Sequence, residues 1–267
     1  MTSMYSRRDF LKLTGTALLA ASLPDASTRL DEAFGLATAQ EAEPAPLIWR
    51  GSARQRYVAL TYDDCYLVNR MQDMEELLAQ YPEVKITLFP VGVALLSNQE
   101  KDPGIWNRFH EQGHEIGYHS WDHTNFGVMS PKAALEDYAR WLSALQAVMG
   151  FQPVVRFARP TYGSLAYSFD VVCSENGLVN TMWSTGWGGE LEIGLNAAKK
   201  SRNGDIVLLH IRTQDYNTSV QAFPWMRENG LGAVTLTKLY DDLLREQNES
   251  EGCRIGTASS LTRTCIE

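Results

Sequence analysis

The sequence predicts an α/β fold in which parallel strands, covered by helices, close into a (β/α) barrel. Two observations carry this. Short apolar segments alternate with longer amphipathic ones along most of the chain, and reactive residues recur where the apolar segments end. The length of 267 residues with 44% hydrophobic content suits one large domain with a full core.

Taken in order, the strand-like segments are 57–63, 84–92, 114–119, 153–160, 177–183, 205–211 and 232–239, each rich in Val, Ile, Thr or aromatic residues. Between them, helical patterns cover 71–81, 105–112, 131–149, 169–176 and 195–202. A parallel barrel displays its chemistry at the C-terminal ends of the strands. Asp63 and Asp64 end the first strand, His119 the third, Arg159 the fourth, Trp183 the fifth and His210 the sixth.

The chain opens on Ser6-Arg7-Arg8-Asp9-Phe10-Leu11-Lys12 followed by an Ala-rich apolar run, the pattern of a twin-arginine export signal. That run is too short to span a bilayer comfortably. With Ala37-Thr38-Ala39 as the cleavage candidate, residues 1–39 form the leader and 40–54 a linker. Residues 55–245 form the domain and 246–267 a C-terminal tail. Export places the protein in the periplasm or outside the cell, with no stable membrane span after processing. The net charge of -8 is unchanged by removing the leader and argues against nucleic acid as partner. Of the four cysteines, Cys65 and Cys173 read as buried thiols, while Cys253 and Cys265 share the tail, where they are either bridged to each other or free.

Residues 110–123 hold four of the five histidines and offer two metal patterns. His110-Glu-Gln-Gly-His114 spells the zinc-peptidase motif, which works only when both histidines share one helix face. Gly113 stops the preceding helix, so His114 falls beyond it and that geometry fails. His119-Ser-Trp-Asp-His123 instead begins at a strand end, where a sharp turn can bring two imidazoles onto one ion. Asp64 supplies a third, oxygen ligand. Such a site suits zinc, with cobalt, nickel or manganese as alternatives, and leaves positions open.

With these residues placed, the chain resembles the polysaccharide deacetylases of carbohydrate esterase family four, the NodB-homology domain. Thr61-Tyr62-Asp63-Asp64 is similar to that family's T-F-D-D motif, and His119-Ser120-Trp121-Asp122-His123 to its H-S/T-x-x-H. Arg159-Pro160-Thr161-Tyr162-Gly163 is similar to R-P-P-Y-G, and Leu208-Leu209-His210 to L-x-H. The resemblance implies a distorted (β/α) barrel and a metal held by Asp64, His119 and His123. It further implies Asp63 as general base oriented by Arg159, the Tyr162 amide as oxyanion donor and His210 as acid. Leu208 would line the acetyl pocket and Trp183 would wall the groove. The partner would be an acetylated glycan.

Three positions depart from the family pattern. The family's fourth motif carries an aspartate that supports the histidine acid, whereas "WSTGWGGEL" offers only Glu190, with Gly189 as the nearest position for the missing carboxylate. Cys65 replaces a glycine, and Ile211 follows His210 where an aspartate is common. Besides a metal-dependent deacetylase, these departures allow a catalytically weak glycan-binding protein or a hydrolase of a non-sugar amide.

Overall fold

A computed structural model describes residues 44–256. The leader, the start of the linker and Cys265 lie outside them, so the expectations of export and of a Cys253–Cys265 bridge do too. Cys65 and Cys173 are both free and buried.

Strands β1 (Leu47–Ile48), β2 (Tyr57–Asp64), β3 (Ile86–Pro90), β4 (Glu115–Ile116), β5 (Phe157–Ala158), β6 (Val179–Thr181), β7 (Thr185–Gly186), β8 (Ile206–His210) and β9 (Gly232–Ala233) alternate with helices. The helices are α1 (Val68–Gln80), α2 (Gly92–Lys101), α3 (Ile105–Glu111), α4 (Pro131–Met149), α5 (Tyr167–Asn176), α6 (Leu191–Lys199), α7 (Thr213–Glu228) and α8 (Leu236–Gly256).

Every strand pair is parallel. One sheet runs β4-β3-β2-β8-β7 with β9 on β2, and a second runs β1-β6-β5. A parallel bridge from Tyr118 to Ala158 joins the sheets on one side. On the other, the chain passes from β6 to β7 through three residues. The result is a barrel distorted at the β6–β7 seam, as the sequence predicts.

Alternation along the strands decides what reaches the site. In β2, Val58, Leu60 and Tyr62 pack outward among the helices, while Ala59 joins Phe89, Phe157 and Ile206 in the barrel interior. With a period of two, Thr61 and Asp63 follow Ala59 inward, and Leu208 and His210 follow Ile206. Both inward rows change from apolar to polar toward the C-terminal end.

Local signals set several boundaries. Ser130 caps α4 by accepting from the Ala133 amide at 3.2 Å, Pro131 starts the helix and Gly150 ends it at φ +74°. Gly113, at φ +81°, separates α3 from β4, as the sequence reading requires.

Three expectations need correction. The segment 232–239 is a strand only over Gly232–Ala233, and Leu236 opens α8. Its apolar residues fit either period over so short a run. Leu236 and Leu239 fill the barrel interior from below, which a helix does better there than a strand. Leu47–Ile48, within the expected linker, pairs with β6 and so belongs to the barrel. Helix α8 continues to Gly256, into the expected tail. Helices α2 and α7 and strand β7 are additional elements that the periodicity does not single out.

Candidate active site

The strand ends deliver the predicted residues to one place. Asp63 and Asp64 close β2, and His210, the last residue of β8, pairs in register with Asp63. Just beyond β4, His119 starts the turn that carries His123, and Arg159 directly follows β5.

Asp64, His119 and His123 bring one ligand atom each to within 4.8 Å of one another. His123 Nε2 lies 3.2 Å from Asp64 Oδ1 and His119 Nε2 lies 3.6 Å from it. His119 Nδ1 sits 2.8 Å from the Arg159 carbonyl. A carbonyl only accepts, so Nδ1 carries the proton and Nε2 presents its lone pair to the shared space. Asp64 Oδ1 is buried and without a hydrogen-bond partner. Burial alone would raise the Asp64 pKa, but His119 and His123 override it and hold the carboxyl well below its usual range. A buried acceptor with no hydrogen-bond partner, with the Nε2 atoms of two imidazoles beside it, is a donor set that suits a divalent cation. The residues fit the metal that the sequence reading assigned to them.

Arg159, fully buried, fixes Asp63. Its Nη1 donates to Asp63 Oδ1 and to Thr61 Oγ1, both at 2.7 Å. Nε and Nη2 donate to the carbonyls of Thr181 and Met182 at 3.1 and 3.2 Å, anchoring the guanidinium to β6. Burial lowers the Arg159 pKa and Asp63 opposes this. The guanidinium stays charged because its ordinary value is so high. Asp63 Oδ2 is left 3.8 Å from His119 Nε2, beside the metal pocket but outside its ligand set.

The loops holding these groups are strained in a common way. Among the described residues, the non-glycine positions with positive φ are Asp64, Cys65, Ser120, His123 and Tyr162, at 58–70°. All five lie in the loops at the strand ends, where a left-handed turn re-aims a side chain. Hydrogen bonds hold the histidine turn: the His123 amide donates to Ser120 Oγ at 2.9 Å, and the Trp121 amide to Asp137 Oδ1 at 2.8 Å. The Tyr118 hydroxyl donates to that same Asp137 oxygen at 2.5 Å. Cys65 is buried, and burial together with Asp64 and Asp63 pushes its thiol well above the ordinary value. The thiol donates to the Tyr62 carbonyl at 3.7 Å.

Tyr162 is exposed, with its ring edge-on to His123 at 4.5 Å between centroids. Trp183 is half-buried against the Tyr162–Gly163 turn. Leu208 is half-buried on the same strand face as His210. Tyr66, absent from the sequence reading, is exposed next to the metal pocket. Burial, and then the nearby Asp64, Asp122 and Tyr162, raise its pKa.

The peptidase-like pair does not converge. His110 is exposed and packs on Phe151, whereas His114 is buried and its Nδ1 accepts from the Ile86 amide. Desolvation, then Lys85, lowers the His114 pKa to about 4, the mark of a neutral structural imidazole.

The missing carboxylate is the main correction. Glu190 precedes the first turn of α6 and is exposed, and Gly189 has open space around it. Asp215, from the first turn of α7, stands beside His210 instead. Its Oδ2 accepts the His210 amide at 2.7 Å and lies 3.4 Å from His210 Nδ1. No motif spacing marks it, and the only available signal was an acid five residues after His210.

A family model described as polysaccharide deacetylase matches residues 50–180. The chain belongs to that family. A peptidoglycan N-acetylglucosamine deacetylase of Listeria monocytogenes is 27% identical over 195 residues, 70% of this chain and 40% of the relative. One of Bacillus cereus is 27% identical over 200 residues, 71% of this chain and 70% of the relative. The chain thus spans less than half of the Listeria protein.

Among solved structures, a CE4-family pseudoenzyme from Bacillus anthracis superposes with a TM-score of 0.66 at 22% identity. That alignment covers 74% of this chain and 70% of the other. The Bc1960 peptidoglycan N-acetylglucosamine deacetylase gives 0.65 at 24%, covering 74% and 94%. At these identities the likeness establishes the fold. Among the described residues no helix is long and apolar enough to cross a membrane.

Proposed function

We propose that the protein is a metal-dependent deacetylase that hydrolyses acetyl groups on an acetylated polysaccharide or amino sugar. The observation that carries this reading is the meeting of Asp64, His119 and His123 with the Arg159-held Asp63 and with His210 at one end of the barrel. Asp64, His119 and His123 would hold zinc or a similar divalent cation. When bound, that cation supplies Lewis-acid polarisation of the acyl carbonyl and acidifies water.

The chain's own residues do the rest. Asp63, fixed by Arg159, takes the proton of the water that adds to the acyl carbon. The Tyr162 amide donates to the oxyanion of the tetrahedral intermediate. As the C–N bond breaks, His210 gives a proton to the leaving amine, so that acetate and a free amine result. Leu208 bounds the space for the acetyl methyl, and Trp183 and Tyr162 flank the sugar chain.

The two peptidoglycan deacetylase relatives favour an N-acetylated cell-wall glycan as substrate. The twin-arginine pattern favours action outside the cytoplasm, and cell fractionation of an Arg7→Lys, Arg8→Lys variant tests that route. A purely binding role drew its support from the absent carboxylate at His210, and Asp215 removes that ground. Acetate release from a panel of N- and O-acetylated oligosaccharides tests the reading. Release from N-acetylglucosamine oligomers is expected, and binding of the panel without release would return the binding role.

A further inference from the structure

The wall of the site formed by His210 has a construction of its own. Asp215 is completely buried and reaches His210 twice, once at the backbone amide and once at ion-pair distance from the ring. His210 Nδ1 is itself buried and has no aligned hydrogen-bond partner, so Asp215 is the group nearest to satisfying it. Arg212 Nε donates to the other carboxylate oxygen at 3.1 Å. Burial would raise the Asp215 pKa, but His210 and Arg212 outweigh it and keep the carboxyl below its usual range. A buried carboxylate oriented by an arginine and applied to an imidazole is a means of fixing ring orientation and favouring the protonated ring.

Gly188, on the opposite side, completes the picture. A Cβ placed there would lie 2.9 Å from Arg212 Nη2 and 3.4 and 3.5 Å from the two Asp215 oxygens. Its φ is not in the left-handed region, so the backbone does not demand glycine. The Asp215–Arg212 pair occupies the adjoining space, so a side chain at 188 would press on the Arg212 guanidinium and force it to shift.

We propose that Asp215, held by Arg212, is the positioning residue for His210, and that it enters from α7 into room left by Gly188. The inference rests on His210 serving as the acid of the proposed reaction, but the pairing can be read without turnover. The other charged groups on this side are Asp63, alongside His210 on β2, and its partner Arg159, which offset each other. From β7 and the following loop, Gly186 and Gly188 bring no charge.

The test is the titration midpoint of the His210 ring, followed by NMR in the zinc-loaded protein and assigned with His210→Ala. Asp215→Asn is nearly isosteric and is expected to lower the midpoint by about one pH unit, a tenfold change in proton affinity. The alkaline limb of the pH–rate profile should move down with it. Arg212→Gln, at an exposed side chain, should raise the midpoint because it removes a positive charge near the pair. It also keeps the test alive if Asp215→Asn does not fold. An unmoved midpoint in either variant overturns the proposal. A midpoint that falls while the alkaline limb stays supports the pairing and takes the acid role from His210.

Discussion

The two walls of the site are built by opposite strategies. The proposed metal wall, with Asp64, His119 and His123, is drawn from residues adjacent in sequence to strand ends and locked by local turns, four of whose residues hold positive φ. The proposed acid wall, with His210, has beside it a carboxylate from the next helix, which lies against Gly188. The first kind of wall is tied to a short motif, because the backbone that bends the ligands inward is itself part of the motif. The second can be rebuilt, since a buried carboxylate acts through distance and burial whichever element carries it.

The largest effect that would break this contrast lies on the metal wall. His119→Ala or His123→Ala should lose bound metal in elemental analysis, while His110→Ala, at an exposed residue outside the cluster, should retain it. Metal loss in His110→Ala would restore the peptidase-like pair.

Between the walls, Asp63→Asn should keep the metal and lower turnover by roughly 100- to 10,000-fold, about 3 to 5 kcal/mol of barrier. Steady-state kinetics with metal content measured in parallel checks this. Turnover near the wild-type value would remove Asp63 from the reaction.

A smaller effect probes the locking of the histidine turn. Tyr118→Phe deletes the buried hydroxyl that donates to Asp137, while the Trp121 amide still reaches that carboxylate. A loss of about 2 kcal/mol in urea unfolding is expected, with metal retained. Unchanged stability would show that the turn is held by its other contacts.

The same contrast explains what could be read from the sequence. The barrel was legible because β2, β3 and β8 are apolar runs buried on both faces, and parallel strands leave that mark. So were Asp63, Asp64, His119, His123, Arg159 and His210, which sit one after another at strand ends. The start of helix α8 is not legible in the sequence, because Val234, Leu236 and Leu239 fit a strand as well as a helix until the barrel interior claims two of them. Asp215 escaped for a different reason. Its role exists only after α7 folds back against β8, and "WSTGWGGEL" directs attention to Glu190, which points elsewhere in function and is exposed. Tyr66 shows the same limit, since an exposed tyrosine acquires meaning only from the Asp64 beside it.

The central claim is that the metal cluster and Asp63 act together in removing acetyl groups, and one measurement addresses it most directly. Acetate release from an N-acetylglucosamine oligomer is followed before chelation, after chelation and after zinc is returned. The account predicts that release is abolished by the chelator and restored by zinc in the wild type, with no restoration in His119→Ala. Release that continues undiminished in the chelated protein would contradict it.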